Sequence, residues 1–335
     1  MLKKAILKNL NLLKRVASPY NKKIYILHDF NLNLKLYNLN KFNKDKIKKK
    51  INKEIIFIDT YETKKVKSHL NKINIFWGNR LDQKLLTKLK NLEWIHFGSS
   101  GINFNLKKEI LKRKIKFTRS NKIISEPVVA SIIQKIFFLG RGMMPILKKR
   151  YYDRLDFENN FENISNIFGE KALIFGKGEI SKLLKKKLLK LNIKAQIVNK
   201  KEKKSIIKDR YLVNTLKHSK FIINCLPLNE STINFFDKSL FKHFSKSYFI
   251  NIGRGETVNE IDLIKFLDKN NIIAAALDVF NRKDYVSPYK PLNFNSKLWK
   301  NNKIFITPHI SALCNDYWEK ETNLFISLLK KIRKD

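Results

Sequence analysis

One stretch constrains the fold more than any other: KALIFGKGEISKLLKKKLLKLNIKAQIVNKK, from Lys171 to Lys201. Ala172 to Phe175 is an apolar run of the length of a buried strand. Gly176-Lys177-Gly178 follows at once. Ile180, Leu183, Leu184 and Leu188 then recur at helical spacing, and a second apolar run, Ala195 to Val198, closes the unit. Strand, glycine turn, helix and strand make a βαβ unit, which commits the chain to a parallel sheet covered by helices. In such a unit the first glycine permits the tight turn and the second lets its backbone approach a pyrophosphate. The helix N-terminus adds unpaired N–H groups and the positive end of its dipole. The alternative is a βαβ turn that holds no ligand.

The motif departs from the full fingerprint at two points. Ser181 stands where a third glycine is usual and is still small enough for close helix–strand packing. Asn199 stands where an acidic residue would hold a ribose, 21 residues after Gly178, and Lys200 and Lys201 follow it. Gly176, Lys177, Gly178, Glu179, Ile180 and Ser181 are therefore expected around the phosphates, and Asn199, Lys200 and Lys201 at the ribose. An acid at position 199 would repel a 2′-phosphate. Its absence beside two lysines favours NADP over NAD as the cofactor.

Around this unit the chain repeats strand and helix. Before it, strands are expected at Lys23–His28, Glu54–Ile58, Ile73–Trp77, Trp94–Phe97 and Ile115–Thr118, with a helix such as Leu81–Leu92 between them. After the fourth of these comes Gly98-Ser99-Ser100-Gly101-Ile102-Asn103, whose small residues leave backbone N–H groups accessible as a carboxylate cradle or form an ordinary turn. Ser125-Glu126-Pro127 reads as a helix start, with an apolar face of Val128, Val129, Ile132, Ile133, Ile136 and Phe137. Beyond the central unit, strands are expected at Phe221–Cys225, Tyr248–Ile252, Ile272–Leu277 and Ile304–Ile306, and a final amphipathic helix from about Ser311. The fold class is α/β, with two doubly wound parallel-sheet domains, the second a Rossmann-type dinucleotide-binding domain.

The polar residues fall where such a sheet binds ligands. Asn199, Arg254, Asp278 and His309 all lie at or just beyond the C-terminal ends of expected strands. Only ten glycines occur, and six of them (Gly98, Gly101, Gly176, Gly178, Gly253, Gly255) lie in three such loops. Arg254 and His309 place on that edge a cation for an anionic ligand and a proton donor titrating near neutrality. Taken singly, Arg254 could be a surface loop residue and His309 a satisfied core histidine.

The stretches FGSSGIN, SEPVVASII, IFGKGEIS, INCLPLNEST, FINIGRGETVNEIDLIKFL, AALDVFNR and ITPHIS, in this order, resemble the D-isomer-specific 2-hydroxyacid dehydrogenase family. LDVFNR and GSSGIN are most similar to its glyoxylate/hydroxypyruvate reductase branch. The resemblance implies a substrate-binding domain at 1–124 and 312–335, an NAD(P)-binding Rossmann domain at 125–311, and a homodimer. It implies that Arg254 binds the 2-oxo acid, that His309 protonates its carbonyl oxygen, and that Ser100, Gly101 and Ile102 hold its carboxylate. Pro227, Thr232, Gly253 and Asp278 would line the cofactor. The family's glutamate, three residues after the Phe of Asp-Val-Phe, is here Lys283. Either Asp284 takes over as the third catalytic residue by a one-residue shift, or the pair with His309 is broken.

Charge raises another class of function. Seventy Lys+Arg against 29 Asp+Glu give +41, which invites nucleic acid. The lysines are spread through a chain also rich in Asn, Ile and Phe, so the charge is read as background composition, and no specific nucleic-acid partner is expected. Cys225 and Cys314 form neither a metal spacing nor a disulfide framework, so no metal site and a reducing, cytoplasmic setting are expected. No apolar run approaches the length of a membrane span. Residues 1–20, with no acidic side chain, are expected to be a basic helix or tail, the alternative being an amphipathic targeting segment. The leading expectation is an NAD(P)-dependent reductase of a small 2-oxo acid. Lys283 keeps open a catalytically weak dinucleotide-binding sensor or interaction protein on the same fold.

Overall fold

The computed structural model describes residues 23–30, 39–51, 53–99, 102, 104–144, 164–198, 203–281 and 296–332. The chain divides into two compact units, one of residues 1–124 with 314–335 and one of residues 125–313.

The first unit holds a five-stranded parallel sheet: β1 (Lys23–His28), β2 (Glu54–Asp59), β3 (Ile75–Gly78), β4 (Trp94–Phe97) and β5 (Lys116–Arg119), in the order β2-β1-β3-β4-β5. Both faces are buried, as βαβ crossovers require. Leu27, Ile58, Phe76 and Ile95 face one apolar cluster, while Ile24, Ile26, Ile75 and Trp77 face the other. The second cluster is closed by α1 (Lys41–Lys50), through Ile47, and by the last helix, through Phe325, Ile326 and Leu329.

The second unit holds six parallel strands: β6 (Lys171–Phe175), β7 (Lys194–Val198), β8 (Phe221–Asn224), β9 (Ser247–Asn251), β10 (Ile272–Leu277) and β11 (Ile304–Ile306). Their order is β11-β10-β9-β8-β6-β7. Successive residues alternate between two cores: Ala172 and Ile174 face one, Leu173 and Phe175 the other. Two buried faces explain why the inner strands β8 and β10 read as near-continuous apolar runs. One face is covered by α2 (Asn121–Gly140) and α3 (Glu179–Lys190), through Val129, Ile132, Ile136, Leu184 and Leu188. The other is covered by α4 (Arg210–Lys217) and α5 (Glu260–Asp268), through Leu212, Leu216, Leu263 and Leu267. Each such leucine contributes about 1.5–3 kcal/mol over its exposed state.

Three helices differ from expectation in their bounds, and several strands by one or two residues at their ends. Helix α2 begins at Asn121 rather than Ser125, with Pro127 inside it. The Ser120 carbonyl starts that turn by accepting the N–H groups of Ile123 and Ile124. The expected helix over Leu81–Leu92 is only Gln83–Lys88, capped by the Asp82 carboxylate. The last helix, α6 (Tyr317–Ile332), does not begin at Ser311, because the Ser311 amide is bound to the Asp278 carboxylate. Helix α2 is long and apolar enough by composition to cross a membrane. Its burial against the sheet accounts for that composition.

Candidate active site

In the second unit the strand order reverses between β6 and β8, and ligands of open α/β sheets bind beyond the carboxyl ends of strands at such a switch point. There Gly176 has φ +112°, and a Cβ on it would lie 2.8 Å from the Cys225 carbonyl oxygen. No other residue fits that turn. Gly178 is the N-cap of α3, with no side chain capping the helix. The first N–H groups of a helix have no intrahelical partner, so the end of α3 presents donors to an anion. A Cβ on Gly178 would meet no atom within 4 Å, so nothing in the protein itself demands glycine at that position. Lys177, Gly178 and Glu179 are exposed around this end, and Ile180 is half-buried on the core side. The buried Ser181 hydroxyl has no hydrogen-bond partner of ordinary geometry; its neighbour is the Cys225 thiol, whose pKa burial pushes up to about 12. An uncapped helix end, an unshielded glycine and a small residue behind them fit a dinucleotide's pyrophosphate.

The next loop follows β8. Pro227 is exposed on it. Thr232 lies buried beneath, where its hydroxyl accepts the Asn229 N–H (2.8 Å) and sits 2.7 Å from the Pro227 carbonyl. Thr232 thus braces the loop that carries Pro227.

Arg254 follows β9 on a loop built by three buried polar residues. Register pairs Asn224 of β8 with Asn251 of β9. The Asn224 amide donates to Asn251 Oδ1 (2.9 Å) and to Thr257 Oγ1 (2.7 Å). Asn251 Oδ1 also accepts the Gly253 N–H (3.1 Å), and the Thr257 hydroxyl donates to the Arg254 carbonyl. These bonds fix the backbone on both sides of Arg254, leaving its half-buried guanidinium to reach from a rigid base, with Nη1 2.6 Å from the Gly253 carbonyl. At Gly255 a Cβ would lie 1.7 Å from the Phe280 carbonyl oxygen, so glycine brings the loops after β9 and β10 together.

Asp278 follows β10 and is buried. Its carboxylate accepts the Thr307 hydroxyl, the Ile310 N–H (3.0 Å) and the Ser311 N–H (3.1 Å). All three flank His309, which is exposed and held at φ +55°, a left-handed conformation that costs a non-glycine residue about 1–3 kcal/mol. Asp278 thereby maintains the turn that presents His309.

Read across the sheet, the loops carry His309, Asp278, Arg254, Pro227 and Gly176 after β11, β10, β9, β8 and β6, one neighbour to the next. In the first unit, Ile102 follows β4 and packs on that unit's core. There the Tyr317 hydroxyl donates to the Gly98 carbonyl (2.9 Å), fixing the residue that follows β4. Ser100, Gly101, Asn199, Lys200, Lys201, Lys283 and Asp284 lie outside the described residues. Among the described residues, no group of three or more His, Cys, Asp or Glu side chains could hold a metal. Sequence reasoning missed Asn224, Asn251 and Thr257. Their signal was available in the motifs: two asparagines ending apolar strands are unsatisfied in a core unless they bond each other.

The NAD-binding domain of the D-isomer specific 2-hydroxyacid dehydrogenases matches residues 141–311, just over half of the chain. A glyoxylate/hydroxypyruvate reductase A of Arabidopsis thaliana is 24% identical over 254 residues, 74% of this chain and 78% of its own. One from Photorhabdus laumondii is 38% identical over 99 residues, 29% of each chain. Among solved structures, the NADPH-dependent glyoxylate/hydroxypyruvate reductase of Sinorhizobium meliloti, in complex with NADP and malonate, superposes with a TM-score of 0.69 at 18% identity, covering 92% of each chain. The NAD-dependent formate dehydrogenase of Staphylococcus aureus, in complex with NAD, gives 0.68 at 17% identity, covering 92% of this chain and 95% of its own. These likenesses show the fold.

Proposed function

The chain belongs to the D-isomer specific 2-hydroxyacid dehydrogenase family, and from that premise we propose that it reduces a small 2-oxo acid, of the glyoxylate or hydroxypyruvate kind, to the 2-hydroxy acid. The observation that carries this reading is one sheet edge with a dinucleotide-type helix end after β6, a braced arginine after β9 and a clamped histidine after β11. The relatives that share sequence with it are named as reductases of these acids.

The nicotinamide cofactor, when bound, supplies the hydride to the carbonyl carbon. The residues of the chain do the rest. Amides at the start of α3 bind the pyrophosphate, with Gly178 admitting it and Ser181 behind. The Arg254 guanidinium neutralises the substrate's negative charge and draws electron density towards the carbonyl oxygen. His309, protonated, gives its proton to that oxygen as the hydride arrives at carbon, so the product is a neutral hydroxyl. Ser100, Gly101 and Ile102 hold the carboxylate, and Asp284 keeps His309 protonated in place of the family's glutamate. Asn199, Lys200 and Lys201 favour NADP(H) over NAD(H). The protein works as a homodimer in the cytoplasm.

Steady-state reduction of glyoxylate, hydroxypyruvate and larger 2-oxo acids, with NADPH and NADH compared, tests the proposal. Turnover with a higher kcat/KM for NADPH is expected. A clear NADH preference refutes the cofactor assignment. Binding of either dinucleotide without turnover of any 2-oxo acid favours the second reading, a dinucleotide-binding sensor, for which Lys283 at the family's glutamate position speaks.

A further inference from the structure

Helix α2 packs against the sheet through an apolar face, and one charge lies inside that packing. Lys135 is 1% exposed. A lysine buried among isoleucines and leucines costs folding free energy unless its ammonium finds partners. Lys135 Nζ donates to the Ser131 hydroxyl, one helical turn back on α2, at 2.6 Å. Ser131 Oγ lies 2.9 Å from Ser311 Oγ. The Ser311 N–H donates to Asp278 Oδ2 at 3.1 Å. A chain of hydrogen-bonding residues thus runs from a buried ammonium, through two serines, to the buried carboxylate that clamps the His309 turn. Asp278 meets only neutral donors among these contacts, from Thr307, Ile310 and Ser311. Its charge is felt at Lys135: burial pushes the ammonium below its ordinary range, and Asp278 opposes that push.

We infer that Lys135 is a positioning residue for His309, the internal counter-cation that keeps the Asp278 carboxylate gripping the Thr307–Ser311 turn. The inference rests on the reading of His309 as proton donor. Lys135 touches neither substrate nor cofactor. It acts by holding in place the acceptor that maintains His309 at its positive φ. A 2-oxo acid must receive hydride and proton in one geometry, and a displacement of about 1 Å in the donor costs up to about a hundredfold in rate.

Two variants test this independently. Lys135→Met keeps length and apolar packing but removes the charge and the donor; Ser131→Ala cuts the link while keeping Lys135. Hydrogen–deuterium exchange on the cofactor-free protein reads the clamp directly. In both variants the amides of Ile310 and Ser311 are expected to exchange faster than in wild type, with β6, β8 and β9 unchanged. In the active enzyme, kcat for 2-oxo acid reduction is expected to fall about tenfold to a hundredfold, with NADPH affinity within about twofold of wild type, since the helix end after β6 is untouched. Faster exchange in a wild-type background that reduces no 2-oxo acid would uphold the clamp and defeat the proposed activity. An active wild type whose variants keep kcat, or whose Ile310 and Ser311 amides exchange as before, overturns the inference.

Discussion

The glycine turn after β6 offers a matched pair of substitutions two residues apart with opposite expected effects. Alanine at position 176 must adopt φ +112° and place its Cβ 2.8 Å from the Cys225 carbonyl oxygen. That carbonyl cannot retreat easily, because the Cys225 N–H is bonded to the Phe175 carbonyl at 2.9 Å. The conformation alone costs about 1–3 kcal/mol. With the displaced backbone added, Gly176→Ala should destabilise by about 2–4 kcal/mol, the range of a named local mechanism. In a domain of this size each kcal/mol lowers Tm by about 2–4 °C, so a fall of about 5–15 °C is expected. Alanine at position 178 takes φ −76° without strain and meets no protein atom within 4 Å. Replacing a glycine N-cap with alanine costs at most about 1 kcal/mol. The methyl group would project into the proposed pyrophosphate site at the end of α3. Gly178→Ala should therefore fold normally and bind NADPH at least about tenfold more weakly, about 1.4 kcal/mol. Thermal unfolding without ligand and nicotinamide fluorescence titration read the two effects separately. A Gly178→Ala protein that binds NADPH as tightly as wild type, or that is as unstable as Gly176→Ala, refutes the argument.

Other predictions concern the ionisable groups. Arg254→Ala and His309→Gln should each lower kcat/KM for a 2-oxo acid by about 10²–10⁴, with NADPH affinity nearly unchanged in a binding titration. His28 ends β1 in the first unit, where burial, with Lys44 and Lys65, pushes its pKa from 6.5 to about 3. The unfolded chain therefore takes up the proton first. His28 favours folding fully above about pH 6.5, and that contribution, at most about 5 kcal/mol, is lost as pH falls towards 3. Urea midpoints at about pH 7 and about pH 4 should separate more in wild type than in His28→Leu, and equal separations would contradict the assignment. Glu321 of α6 is buried with its carboxylate accepting Trp77 Nε1 (2.9 Å) and Ser120 Oγ (2.6 Å), 3.1 Å from His96 Nε2. Glu321→Ala should cost about 3–5 kcal/mol by orphaning these groups and shift the Trp77 fluorescence. A change within about 0.5 kcal/mol would show that the network contributes nothing net.

Much of the fold was legible because both sheets are buried on two faces. Ile272–Leu277, with no polar residue in six, can only be an interior strand once its neighbours are strands. Element ends were less legible, since tertiary bonds decide them. Ser125-Glu126-Pro127 has the residue types of a helix start, yet the Ser120 carbonyl begins the helix a turn earlier. Ser311 looks like a helix cap, yet its amide belongs to Asp278. The same limit applies to the candidate site. Arg254 and His309 stand out by residue type at strand ends. Asn224 and Asn251 do not stand out in a chain rich in asparagine, and become meaningful only when the β8–β9 register sets them side by side. Lys135 is hidden in a different way. Among 70 basic residues one more lysine carries no signal, although it is the single charge between Pro127 and Gly140.

The central claim is hydride transfer to a 2-oxo carbon with a proton from His309. A single-turnover experiment tests it directly: protein loaded with NADPH is mixed with hydroxypyruvate, and nicotinamide absorbance and product chirality are followed together. The account predicts that wild type oxidises bound NADPH and forms the D-hydroxy acid, while His309→Gln binds NADPH equally but oxidises it at least about a hundredfold more slowly. Bound NADPH that stays reduced in wild type, or a His309→Gln protein that reacts at the wild-type rate, would contradict it.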